Sequence, residues 1–349
     1  MDIRPLVVQA QAVRATDIHL SHGIPPYFRI DGELVPQEKF GVMKGEEIKE
    51  AVRDLLEETG VEFDESAREI DFSFTVAGSI RVRGNFYYER GEAALALRLI
   101  PRKVRSIDEL GLPQILKEIA DQDFGFIIVT GPTGSGKSTT IAAMIDYLNE
   151  RYPYHIITIE DPIEYIFDNK RSIIHQRELG KDTMSFTDGL KYALRQDPDV
   201  ILVGEMRDLE TMSLALTAAE TGHIVFATVH TNSAATAPER IIDVFPAHQQ
   251  RQVALQLANT LRAVIYQRLV PKKGGGMVAV LEIMIGTPAV ANLIREGKLH
   301  QLEGIIQAGA RYGMVLFDDA LVDLYRKGII EKQTALDYAR NPEEVEKKL

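Results

Sequence analysis

Residues Gly131, Pro132, Thr133, Gly134, Ser135, Gly136, Lys137, Ser138 and Thr139 run consecutively between an apolar stretch, Phe126 to Thr130, and a helical pattern from Thr139 to Asn149. A strand that passes through a glycine-rich turn into a helix is the setting this spacing needs to cradle phosphate. Backbone N–H groups of the turn and of the first helical residues point at phosphate oxygens. The Lys137 ammonium adds a mobile positive charge beside the β and γ phosphates, and the Ser138 hydroxyl is placed to coordinate Mg²⁺. Only a strand–turn–helix unit presents these atoms together, so the motif dictates an α/β layer around itself, with ATP and Mg²⁺ as the ligands.

The same texture recurs through the second half of the chain. Near-continuous apolar runs at His155 to Glu160, Val200 to Glu205 and His223 to Val229 alternate with helical patterns. This predicts a predominantly parallel sheet covered on both faces, with ligand chemistry at the carboxyl ends of its strands. Beyond Thr287 the pattern is helical to the end. The first hundred residues differ. Tyr27 to Val35 forms two short runs around Asp31-Gly32, a hairpin signal, and Ile70, Phe72, Phe74 and Val76 alternate with polar residues. Strand-like runs at Ile80 to Tyr88 and Ala94 to Ile100 follow, and one helix fits between Gly45 and Thr59. The expected organisation is an α+β domain over residues 1–100, a linker over 101–113 rich in proline and charge, and an ATPase domain over 114–349 whose carboxyl-terminal part is helical from about 287.

Three acids, Glu160, Asp161 and Glu164, cluster at the end of the run that begins at His155. Such carboxylates repel one another unless cations share the site, and Mg-ATP with arginines would supply them. Glu164 is the candidate for orienting or deprotonating the attacking water; the alternative is a solvated acidic turn. The run Asp199 to Glu205 is an apolar strand ending in an acid, the form of a Walker B element whose carboxylate, Glu205, holds water on Mg²⁺. His223 and His230 bracket another apolar run. His230, at its carboxyl end, is placed to donate a hydrogen bond to γ-phosphate, whereas His223 caps or packs. Arg195 precedes the Walker B strand and meets either phosphate or a surface acid. Arg81 and Arg83, two apart, share one strand face, with Arg98 on the next strand. Their anion partner is either the ATP of a neighbouring subunit or ordinary carboxylates.

Composition closes off other classes. With 349 residues, 45% hydrophobic and 26% charged, the chain is long enough for two conventional globular domains. It has no cysteine, which excludes a disulfide framework or a thiolate metal site. No stretch approaches the ~18 apolar residues that span a bilayer; the longest candidate, Met277 to Ile285, is interrupted by Glu282. The opening Met-Asp-Ile-Arg-Pro has no secretion-signal pattern. A cytoplasmic protein with no transmembrane segment is expected, reaching the membrane through partners. A net charge of −11 argues against general nucleic-acid binding, and the basic run Arg102, Lys103 and Arg105 reads as a solvated linker.

Together these blocks resemble the secretion ATPase superfamily, hexameric motors that power type IV pili and type II secretion, over nearly the whole chain. Under that resemblance Gly131 to Thr139 is the Walker A loop, Ile159 to Tyr165 the Asp box, Val200 to Glu205 Walker B and Thr221 to Arg240 the His box, which holds His223 and His230. Ala15 to Arg29 is similar to the start of the family's PAS-like N-terminal domain. The resemblance implies a RecA-like P-loop NTPase domain preceded by a smaller α+β PAS-like domain. It further implies a homohexamer that receives Arg81, Arg83 and Arg98 in trans, and an inner-membrane pilus platform protein as partner. Assembly and type II secretion ATPases of the superfamily carry an extra N-terminal domain and a tetracysteine zinc insert. This chain starts at the PAS-like segment and lacks cysteine, so it resembles the retraction branch, which drives pilus disassembly and twitching motility. Gly286 to Glu296 is similar to that branch's signature Ala-Ile-Arg-Asn-Leu-Ile-Arg, with Val290 and Ala291 at its second and third positions. That departure leaves room for an accessory retraction ATPase, and a pilus-assembly or secretion ATPase or a DNA-translocating ring are the other readings.

Overall fold

The computed structural model describes all residues except 1, 31, 59–62, 65, 79, 101–103 and 207. The chain divides into two compact units, Met1–Lys103 and Val104–Leu349. In the first, strands β1 (Asp17–Leu20), β2 (Tyr27–Ile30), β3 (Glu33–Pro36), β4 (Glu69–Val76), β5 (Ile80–Glu89) and β6 (Glu92–Ile100) form one sheet in the order β3-β2-β1-β6-β5-β4. Every neighbouring pair is antiparallel. Helices α1 (Arg4–Ala12) and α2 (Gly45–Glu58) complete the unit. Strand periodicity sorts the faces: Ile18, Phe28, Phe74, Val82 and Leu97 are buried in one core with Ile48, Val52, Leu55 and Leu56 of α2. The hairpin expected around Asp31-Gly32 is present, with Ile30 opposite Glu33; Gly32 has φ +91°, and Asp31 lies outside the described residues.

The second unit is built on β7 (Gly125–Thr130), β8 (His155–Glu160), β9 (Ile173–Glu178), β10 (Val200–Val203), β11 (Ile224–Val229), β12 (Leu261–Pro271) and β13 (Met277–Ile285). Their order is β13-β12-β7-β11-β10-β8-β9. All pairs are parallel except β12 with β13. Helices α3 (Ile115–Ala120), α4 (Lys137–Arg151), α5 (Phe186–Ala193), α6 (Leu209–Glu220), α7 (Ala237–Asp243) and α8 (Ala247–Thr260) alternate with the strands. Every residue of β7, β10 and β11 is buried, because helices cover both faces. On one face Ile127 and Val129 meet Ile141, Ile145 and Leu148 of α4; on the other Phe126 and Ile128 join a core with Leu216 of α6 and Leu257 of α8. This α/β arrangement has the predominantly parallel sheet expected from the apolar runs. Ile107 and Leu112, inside the stretch expected to be a linker, pack into the second unit's core; the linker's basic residues Arg102 and Lys103 lie outside the described residues.

The carboxyl-terminal part carries α9 (Pro288–Arg295), α10 (Leu302–Ala308), α11 (Phe317–Arg326), α12 (Lys332–Tyr338) and α13 (Pro342–Lys348). These helices are tied back to the sheet by one buried acid. Glu282 of β13 is 1% exposed, accepts hydrogen bonds from Ala234 N at 2.6 Å and Phe317 N at 3.2 Å, and pairs with the Arg340 guanidinium. Arg340 also donates to the Asn232 carbonyl at 2.7 Å and lies over the rings of Tyr266 and Phe317. Among the described residues no helix is long and apolar enough to cross a membrane. Because Arg340→Ala leaves Glu282 buried with its charge unmatched, it should cost about 3 kcal/mol of stability, read as a lower urea midpoint in equilibrium unfolding; an unchanged midpoint would show that the two backbone N–H bonds suffice.

Candidate functional site

Four parallel strands, β7, β11, β10 and β8, end at one edge of the sheet, with Thr130 level with Val229, Val203 with Ala227, and Val203 with Ile159. The phosphate loop leaves β7 at this edge. Gly131, Gly134 and Gly136 all have positive φ, at 142°, 76° and 84°, where a side chain would be strained. Space is closed too at two of them: a Cβ on Gly131 would lie 2.2 Å from the Gln267 carbonyl oxygen, and one on Gly136 2.9 Å from Gln267 Nε2. The loop then feeds α4, whose first residues are Lys137, Ser138 and Thr139.

Lys137 Nζ donates to the carbonyls of Gly131 at 2.9 Å and Pro132 at 3.0 Å. Burial lowers the pKa of this ammonium from the ordinary lysine value, against the opposing pull of Glu205 and Glu164. Both acids therefore lie within electrostatic range of the lysine. His230, just past β11, bridges two of these elements, with Nε2 3.1 Å from Glu205 Oε1 and Nδ1 3.2 Å from the Gly131 carbonyl. The expected acid cluster separates into two environments. Glu160 is 9% exposed and turned inward, accepting from Thr158 Oγ1 at 2.7 Å and Gln176 Nε2 at 3.1 Å, while Asp161 and Glu164 are exposed. Thr139 Oγ1 and the Tyr165 hydroxyl, 2.8 Å apart, join the start of α4 to the acidic turn.

The oxygen donors at the edge suit Mg²⁺. The Ser138 hydroxyl and the Glu205 carboxylate are hard ligands, and Mg²⁺ takes one or two protein groups while keeping phosphates and water. No group of three or more His, Cys, Asp or Glu among the described residues could hold a metal alone.

Residues 3–303 match the family model described as Type II/IV secretion system protein. The chain belongs to that family. It is 47% identical over 343 residues to the type IV pilus retraction ATPase PilT of Pseudomonas aeruginosa, covering 98% of this chain and 99% of that one. A twitching motility protein of Neisseria gonorrhoeae is 47% identical over 324 residues, covering 91% of this chain and 85% of its own. Among solved structures, the pilus retraction motor PilT with bound ADP superposes with a TM-score of 0.89 at 45% identity, covering 99% of both chains. This chain is thus a PilT-like ATPase of the secretion family.

The remaining candidate residues fall elsewhere. Arg195 follows α5 at the opposite, amino-terminal edge of the sheet, where Asp199 N bonds the His155 carbonyl, and its guanidinium lies 6.0 Å over the Tyr192 ring. His223 is at that edge too, Nδ1 2.9 Å from the Ala218 carbonyl at the end of α6. In the first unit Arg83 stands directly opposite Arg98, and Arg98 Nε donates to Asp17 Oδ1 at 2.8 Å; Arg81 Nη2 donates to Ser73 Oγ at 2.9 Å. The three arginines share one sheet face. Sequence reasoning did not single out Glu178 of β9, which is 5% exposed, accepts from Ile163 N at 3.3 Å and pairs with Lys181 at 2.8 Å. Its strand has no continuous apolar run to draw attention to it. In α9, Val290 is buried and Ala291 packs partly buried beside the same core.

Burial pushes the Glu160 carboxyl above the usual range, with the hydrogen bonds from Thr158 and Gln176 acting against it. The unfolded chain then loses this proton first, so its contribution to stability falls as pH rises from the ordinary carboxylate range through the folded-state value. Glu160→Gln should flatten that fall in melting temperature as pH rises above the ordinary carboxylate range, and a wild-type slope in the variant would refute the assignment.

Proposed function

We propose that this chain is the subunit of a cytoplasmic homohexameric motor that hydrolyses ATP to retract type IV pili, acting on an inner-membrane pilus platform protein. The observation that carries the reading is the convergence of Lys137, Glu164, Glu205 and His230 on one phosphate loop. Likeness to retraction and twitching proteins over more than nine-tenths of this chain supports the direction of work.

Each residue has a task that its position supports. Lys137 exchanges the Gly131 and Pro132 carbonyls for phosphate oxygens, because a half-buried ammonium gains more from an anion than from neutral carbonyls. Ser138, with Glu205 through water, would hold Mg²⁺, which would supply positive charge to the nucleotide's phosphates. Glu164 is exposed, carries no hydrogen-bonded cap of its own carboxylate among the described contacts, and lies close enough to Lys137 to act on its charge; it orients the attacking water. His230 gives up Glu205 and the Gly131 carbonyl to donate to γ-phosphate, and returns to them once that phosphate leaves. Glu160 and Asp161 shape the acidic turn from its buried and exposed sides. Arg81, Arg83 and Arg98 of a neighbouring copy supply positive charge to the phosphates, which accounts for three arginines on one sheet face, where Arg81 bonds Ser73 and Arg98 bonds Asp17. Arg195 and His223 serve packing at the far edge rather than chemistry.

Steady-state phosphate release tests the scheme. Lys137→Ala and Glu164→Gln should each lower turnover by at least ~100-fold, with Glu164→Gln still binding ADP; turnover near wild type in either would remove that residue from the reaction. Mixing Arg81→Ala with Lys137→Ala subunits should restore part of the activity if sites are shared between copies. No rescue at any ratio would confine each site to one chain.

A further inference from the structure

Strand β12 outruns its parallel partner. Its pairing with β7 ends where Tyr266 faces Thr130, and Gln267 to Pro271 continue paired to β13 alone. The overhang forms the wall behind the phosphate loop, which is why Gly131 and Gly136 have no room for a Cβ on that side. One residue of the wall is polar and faces inward. Gln267 is 1% exposed, donates from Nε2 to the Ser135 carbonyl at 2.8 Å and accepts at Oε1 from Thr140 Oγ1 at 2.7 Å. The amide has one consistent orientation: the Ser135 carbonyl can only accept, so it faces the NH₂ group. A buried primary amide in an apolar strand is costly unless its bonds are made. Here both go to the loop, at residues 135 and 140, bracketing Gly136, Lys137, Ser138 and Thr139.

The structure assigns Gln267 as a positioning residue for the phosphate loop. A trans peptide carries its C=O and N–H on opposite sides. Drawing the Ser135 carbonyl back onto β12 therefore aims the N–H of Gly136 the other way, toward the phosphate side. The bond to Thr140 does the same for the first turn of α4, holding its unpaired N–H groups in place as an anion-binding end. Gln267 is buried behind the loop and acts through the donors it fixes. Without it the Ser135 peptide is free to rotate and each nucleotide that binds must first order the loop, which weakens binding in the ground state and in the transition state alike. The assignment rests on the reading of Gly131 to Thr139 as a nucleotide loop.

The test is the dependence of ATP turnover on ATP concentration, using the full chain and its Gln267→Leu, Thr140→Val and Lys137→Ala variants. Uniform loss of binding raises KM and spares kcat. Gln267→Leu, of similar size but without hydrogen bonds, should raise KM about tenfold with kcat within about threefold of wild type; Thr140→Val, which removes one of the two anchors, should raise KM about threefold. If Gln267 merely supported the fold, its loss would lower the active fraction, so a reduced kcat at unchanged KM overturns the assignment, as does an unchanged KM and kcat. Should Gln267→Leu fail to fold, a wild-type KM in Thr140→Val overturns it equally. An inactive Lys137→Ala with a wild-type KM in Gln267→Leu sinks only the role of Gln267, whereas wild-type activity in Lys137→Ala sinks the nucleotide loop and this assignment with it.

Discussion

Thr130, at the last position of β7, is fully buried and fixes the level at which two parallel strands open into loops. Its hydroxyl donates to the Val229 carbonyl at 2.9 Å and accepts from Thr231 N at 2.9 Å. With Thr130 in register with Val229, Gly131 and His230 must emerge side by side. The contact of His230 with the Gly131 carbonyl follows from that register, and so does the position of Glu205, two residues past the end of β10, which is itself in register with β11. A slip of one residue in any of these pairs would turn the histidine or the acid to the other face of the sheet. The site is thus a consequence of sheet register before it is a consequence of side-chain chemistry.

Charge then decides what this edge can bind. A half-buried ammonium, two acids within range of it and a histidine held between an acid and a carbonyl make an arrangement in which the lysine and the histidine each have partners that a polyphosphate can replace. The walls are set by groups far away in sequence: Gln267 from β12 behind the loop, and Tyr165 and Glu178 around the acidic turn. The loop that carries His230 is gripped from the other side through Ala234 and Asn232 by Glu282 and Arg340.

What could be read from sequence was what is encoded locally. The strands β7, β8, β10 and β11 are near-continuous apolar runs because helices cover both faces, so these runs and the chemistry at their carboxyl ends stand out, as does the glycine pattern demanded by positive φ at Gly131, Gly134 and Gly136. The family resemblance rested on those blocks, and the comparisons agree with it. Less visible were elements whose polar residues have distant partners. In β12 and β13, Gln267 and Glu282 interrupt the apolar pattern, and the groups that satisfy them lie at Ser135, Thr140, Ala234, Phe317 and Arg340. Edge strand β9, with Ile173 and His175 exposed, has too mixed a composition to announce itself. Arg195 shows the limit from another side: a residue before a strand is at the amino edge whatever its charge suggests. That Glu160 turns inward while Glu164 stays exposed depends on Thr158 and Gln176, and no spacing rule contains it.

The central claim is that ATP turnover at this edge withdraws pili, and the most direct measurement is to delete the chain from its native cell and count surface pili by electron microscopy, with Glu164→Gln supplied back as the comparison. The account predicts an excess of long pili that do not retract, uncorrected by Glu164→Gln and corrected by the wild-type chain. Cells without pili would contradict it and make the chain a motor of assembly.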